Sequence, residues 1–167
     1  MLEQVPSRCA GPTCMETPPW KIVTMPEHFT LEVPGDARCV QEGGEDAVTI
    51  HLATDPPTIV HVQAHRVEDA DLKAFGTHAC LQAAVEAYAD SHLPRSSPRT
   101  SADFEYRTGL RDQAFVCEAV LASDRRSWRV HAVAAIGSAS YYLLAWTGPR
   151  KFLYGPVLEL FESFSPT

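Results

Sequence analysis

The order of elements in this 167-residue chain predicts an α+β fold: an antiparallel β-sheet of six to seven strands, one long helix after an early hairpin, and a short C-terminal helix. Three observations carry that prediction. Residues 113–147 read as strand, turn, strand, turn, strand, which is a meander. Residues 48–66 read as a hairpin around Asp55-Pro56-Pro57. Helical spacing occurs in two places, at residues 72–91 and after Gly155-Pro156. Runs of neighbouring strands with few helices pair antiparallel, and the helices then pack on the sheet.

Residues 1–19 hold Pro6, Pro12, Pro18 and Pro19 among polar residues with little periodicity. They predict a flexible tail or extended arm before a single domain at 20–167. Residues 20–23 form a short first strand, and 28–33 alternate as a second, stopped by Pro34-Gly35-Asp36. A loop with Gly43 and Gly44 follows. Val48, Thr49, Ile50, Ile59, Val60 and Val62 give the hairpin its β-branched character. Asp69 or Asp71 can cap the helix at 72–91, which Leu93-Pro94 ends. Leu72, Phe75, Ala79 and Ala83 make its apolar stripe, widened by Leu81, Ala84, Val85 and Tyr88.

A polar loop at 95–102 leads to a strand at 104–108 and then to the meander strands 113–124, 128–136 and 139–147. The last of these is apolar on both faces. Tyr141, Leu143 and Ala145 point one way, and Tyr142, Leu144 and Trp146 the other. A central strand covered on two sides has that pattern, and two helices are present to cover it. Pro156 suits the first turn of the closing helix. Val157, Leu160, Phe161 and Phe164 then fall at i, i+3, i+4 and i+7, on one buried face.

A net charge of −7 argues against a nucleic-acid backbone or an anionic membrane as partner. Arg125, Arg126 and Arg129 are the one local basic group, read as a solvated turn. No signal peptide opens the chain and no 18-residue apolar run spans a membrane, so the expected location is cytoplasmic. Among the five cysteines no C-x-x-C pair occurs. Reduced thiols are expected, with Cys80 and Cys117 in the core and Cys9 and Cys14 incidental to the tail.

No G-x-S-x-G, H-E-x-x-H, Walker-type or dinucleotide-type glycine loop or EF-hand spacing is present, so no catalytic residue is assigned and no cofactor is expected. Glu118 neighbours Cys117 but must face away from it along a strand, so it cannot activate the thiol. A hairpin symmetric about Pro56 would set His51 opposite His61, roughly 4.5–5.5 Å apart between Cβ atoms, and two such imidazoles could share a metal. The aromatic residues Trp128, Tyr141, Tyr142 and Trp146 are the candidate partner-binding set, because Tyr and Trp combine apolar area with a polar handle.

Residues 20–165 resemble the PsbP/DcrB-like superfamily, which includes the Ran-binding Mog-type proteins. The matching pieces are Phe29-Thr30-Leu31-Glu32-Val33-Pro34, the long helix after the early hairpin, Tyr141-Tyr142-Leu143-Leu144, and Leu160-Phe161-Glu162-Ser163-Phe164. The resemblance implies a non-enzymatic scaffold that binds other proteins, as chaperone, adaptor or assembly subunit. It transfers no binding residue. The expected partner is accordingly another protein or a second copy of the chain. The alternative is a small-molecule or metal-binding protein that uses a sheet/helix pocket or the His51/His61 pair.

Overall fold

The computed structural model describes residues 19–25, 28–41, 46–92, 105–108, 114–122, 126–135 and 138–166. The tail predicted at 1–19 lies outside them except for Pro19, as do Cys9, Cys14 and Arg125. The predicted α+β class is what the chain adopts. Among the described residues, ten strands and two helices run in the order β1 (Trp20–Met25), β2 (Phe29–Pro34), β3 (Arg38–Gln41), β4 (Ala47–Leu52), β5 (Thr58–Arg66), α1 (Asp69–His92), β6 (Glu105–Thr108), β7 (Ala114–Ala122), β8 (Ser127–Ala135), β9 (Ser140–Gly148), α2 (Pro156–Ser163) and β10 (Ser165–Pro166). A 3₁₀ turn, Arg150–Phe152, precedes α2.

The main sheet has seven strands in the order β3-β4-β5-β9-β8-β7-β6, every neighbouring pair antiparallel. β1 and β2 do not join it. With β10 they form a second sheet in the order β1-β2-β10. Two clusters of buried side chains show what covers each face of the main sheet. On one face Val60, Val62, Tyr142, Leu144 and Trp146 pack with Phe29, Leu31 and Val33 of the small sheet and Val157, Leu160, Phe161 and Phe164 around α2. On the other, Leu81 and Val85 of α1 pack on Cys117, Ala119, Trp128, Val130, Ala132, Leu143 and Ala145. The alternation read from β9 is therefore the real one, with both faces buried.

The predicted face of α2 is wholly buried, and each such large side chain contributes about 1.5–3 kcal/mol. Ser163 pins the end of α2 to the small sheet. Its hydroxyl accepts from the Glu32 amide at 2.8 Å and can donate to the Leu160 carbonyl at 2.8 Å. At Gly148 a Cβ would stand 2.7 Å from the Trp146 ring and 2.9 Å from the Thr58 methyl, so a side chain at the end of β9 would force one of them to shift.

Under α2 the sheet buries a charged group made of Glu118, Arg129 and His131. Arg129 is on β8, not on a solvated turn, because that strand starts at Ser127. Its Nη1 donates to Glu118 Oε1 at 2.8 Å, and His131 Nε2 lies 2.6 Å from Glu118 Oε2, with all three side chains buried. The Phe161 ring stands edge-on to His131 at 4.8 Å, and Arg129 lies 5.8 Å from the centre of the Tyr154 ring. A buried carboxylate needs partners of this kind, and removing it leaves a desolvated guanidinium behind. Glu118→Ala is expected to cost about 3–5 kcal/mol in chemical denaturation, while Glu118→Gln, which can still accept a hydrogen bond, costs less.

Candidate functional site

The second face of the main sheet is covered unevenly. α1 packs on β7 and β8 and reaches Leu143 and Ala145 of β9. Beyond them Ile59, His61 and Gln63 of β5 and His51 of β4 remain exposed.

Within α1 the chain splits its apolar residues between two rows. Leu81 and Val85 are buried, with Ala84, Tyr88 and Ala89 packed beside them. The stripe expected to be the buried one is not. Leu72 is half-buried, Ala79 and Ala83 are exposed, and Phe75 is 69% exposed. Gly76 is the local cause. It has φ 79° and ψ 165°, a conformation essentially restricted to glycine, and it breaks α1 between Phe75 and the longer segment behind it. The segment after the break is oriented by Leu81 and Val85, so the row Ala79, Ala83, Ala87 turns away from the core.

That row is one wall of a groove between helix and sheet. At one end a cavity of about 570 Å³ is lined by Phe75, Ala79, Cys80, Ala83 and Tyr141, with Arg66, Glu68 and Asp71 among its other residues. At the other end a cleft of about 710 Å³ lies between Ala87, Tyr88 and His92 of the helix and Thr49, His61 and His65 of the sheet. Ala84 and Tyr141 line both, so the two hollows adjoin.

The ends differ in charge. Glu68, Asp69 and Asp71 are all exposed near the first, with Arg66 beside them. Among the described residues, no Asp, Glu, Lys or Arg lines the second. Its imidazoles are held in place. His65 stacks on Tyr141 with centroids 5.1 Å apart, and His92 stacks on Tyr88 at 3.9 Å. His92 Nδ1 lies 3.0 Å from the Tyr88 carbonyl and so must donate, which leaves Nε2 as an acceptor in the neutral ring. His61 Nδ1 is 3.2 Å from the Thr49 hydroxyl. Burial pushes the His65 pKa down and those of Tyr88 and Tyr141 up, the last also because Cys80 is near. These shifts favour the uncharged forms, an imidazole at His65 and two phenols that can donate.

Of the four aromatic residues expected to meet a partner, only Tyr141 lies in the groove. Trp128, Tyr142 and Trp146 are buried. They do not form one group either. Trp128 packs under α1 against Tyr88, whereas Tyr142 and Trp146 sit on the opposite face beneath α2 and the small sheet. Central strands covered on both sides leave such rings no outlet.

The His51/His61 pair also dissolves. His51 pairs with Ile59, and His61 with Thr49, because the hairpin centres on Asp55 and not on Pro56. The turn takes residues 53–57, tied by Thr54 Oγ1 to the Pro56 carbonyl at 2.8 Å and to Thr58 Oγ1 at 2.9 Å. The two histidines become diagonal neighbours, roughly 7–8 Å apart. Among the described residues no three His, Cys, Asp or Glu side chains converge as a metal site.

The sequence presents Phe75 and Tyr88 only as apolar positions of the helix, and His65 and His92 are not among the predicted site residues; Gly76, an isolated glycine in a helical pattern, is the available signal for Phe75. Neither hollow is lined by Glu118, Arg129 or His131.

No family model matches the chain, and no curated protein matches it. Among solved structures it is similar to a protein from Bacteroides thetaiotaomicron, at 10% identity and a TM-score of 0.49, over 91% of this chain and 49% of that one. The chain thus spans about half the length of that protein. Among the described residues no helix is long and apolar enough to cross a membrane.

Cys117 faces α1 and Glu118 faces α2, so they are on opposite sides of β7, as expected. The Cys117 thiol is pushed up to about 11 from an ordinary value of 9.0, by burial first and then by Glu86 and Glu118. The folded chain therefore holds this proton more tightly than the unfolded chain. The stability it contributes is complete below about pH 9 and is lost as the pH rises toward 11. In denaturation curves a Cys117→Ala variant should lose less stability than the unmodified chain over that interval.

Proposed function

We propose that this chain is a non-enzymatic, cytoplasmic protein-binding module, acting as a chaperone, adaptor or assembly subunit, with the groove along α1 as its binding surface. The observation that carries this reading is the apolar row of α1 turned away from the core: Phe75, Ala79, Ala83 and Ala87 along two adjoining hollows. An apolar helix face left open beside a half-covered sheet marks an interaction surface. Alanines give that wall little relief, so another chain can lie close against it. The resemblance to the PsbP/DcrB-like superfamily implies the same class of function.

A second reading has its own support. The 710 Å³ cleft has the size of an organic-ligand site and offers fixed imidazole and phenol groups. A small molecule bound there would make the chain a ligand-binding protein. Its metal-binding form has lost its basis with the histidine pair.

Co-purification from the native host at low and high salt, with the mass of each complex recorded, separates these readings. The protein-binding reading expects a stoichiometric protein partner that survives high salt and is lost with Phe75→Ser. That substitution is at an exposed position and should leave the fold intact. A lone chain that retains a small molecule through purification would favour the second reading.

A further inference from the structure

The two ends of the groove differ in charge, and from that we infer its occupant: a basic amphipathic segment of another protein, with an apolar side chain seated at Phe75, Ala83 and Tyr141 and Lys or Arg residues against Glu68, Asp69 and Asp71. This inference rests on the protein-binding reading above and adds the chemistry and direction of the partner.

Two features separate the ends. The first cavity is walled mainly by Phe75, Ala79, Ala83 and Tyr141 and admits a bulky apolar side chain. Seating one there would remove it from water together with Phe75, which is otherwise 69% exposed. Glu68 and Asp71, both exposed, line the same cavity, and Asp69, also exposed, lines an adjoining hollow with Arg66, Val67 and Glu68. Arg66 offsets one of these carboxylates, which leaves this end acidic. Among the described residues, no Asp, Glu, Lys or Arg lines the far end, from His61 to His92. Across a chain of net charge −7 the wider field has the same sign as the acidic end.

Apolar burial and charge do different things here. Burial supplies the affinity. Exposed charges supply little of it, but they speed encounter and reject the wrong partner. An acidic amphipathic segment would bring like charges to Glu68, Asp69 and Asp71, whereas a basic one is drawn in and oriented.

The test uses the full chain and two synthetic 15-residue helical peptides. They share one leucine-rich face and differ in carrying Lys or Glu at one end. Binding is read by fluorescence anisotropy at low ionic strength. The Lys peptide is expected to bind about tenfold more tightly than the Glu peptide. A Glu68→Lys/Asp71→Lys variant should reverse that order, and Ala83→Trp, which fills the cavity from an exposed helix position, should weaken both peptides. Equal affinity for the two peptides, with Ala83→Trp still weakening both, would overturn the inference and leave the groove as a binding surface. If neither peptide binds, or if Ala83→Trp changes nothing, the groove reading fails with it.

Discussion

The width of the sheet relative to the width of one helix decides most of this structure. Seven strands about 4.8 Å apart extend over about 29 Å, and a helix with its side chains is about 10–12 Å across. One long helix therefore covers two strands and overlaps a third. α1 lies on β7 and β8 and touches β9, and this face of β4 and β5 extends past it. The opposite face is closed because two devices share it, α2 and the three-stranded sheet that β1 and β2 make with β10. Coverage on one side and deficit on the other come from the same chain.

The deficit becomes a groove through the arrangement of α1. A helix that turned all its apolar residues inward would leave a polar shoulder beside the open strands. Here the break at Gly76 and the burial of Leu81 and Val85 leave a second row of apolar residues facing outward. The sheet beneath is held firmly where it matters for that row. Arg129, Glu118 and His131 tie β7 to β8 on the hidden face, directly behind the strands on which α1 rests. A floor tied in this way, a smooth wall and an uncovered side fit the binding module proposed above.

The fold was legible in the sequence because alternation and turn residues act locally. The meander, the hairpin and both helices fell where their patterns put them, and the buried face of α2 could be named residue by residue. What was missed has physical reasons. A hairpin shifted by two residues presents the same side chains to the core, so the apolar pattern of Val48, Ile50, Val60 and Val62 could not choose between centring on Asp55 and on Pro56. β3 has four residues and β10 two, too few to show a period, and their pairing is decided by β4 and β2. That β1 and β2 leave the main sheet is a tertiary choice with no local mark. The candidate site was less legible than the fold. Trp128, Tyr142 and Trp146 have the composition of an interface, but central strands bury them. Phe75 belongs to a helical stripe, and only the backbone at Gly76 shows that the stripe faces out.

The central claim is that the half of the sheet beside α1 is open in the isolated chain. Hydroxyl-radical footprinting of the purified full-length protein, read by mass spectrometry at two protein concentrations, tests it most directly. An open groove predicts rapid, concentration-independent oxidation of Phe75 and His61, with Trp128, Tyr142 and Trp146 protected. Protection of Phe75 and His61 at both concentrations would contradict the account, since the groove would then be filled by the chain itself.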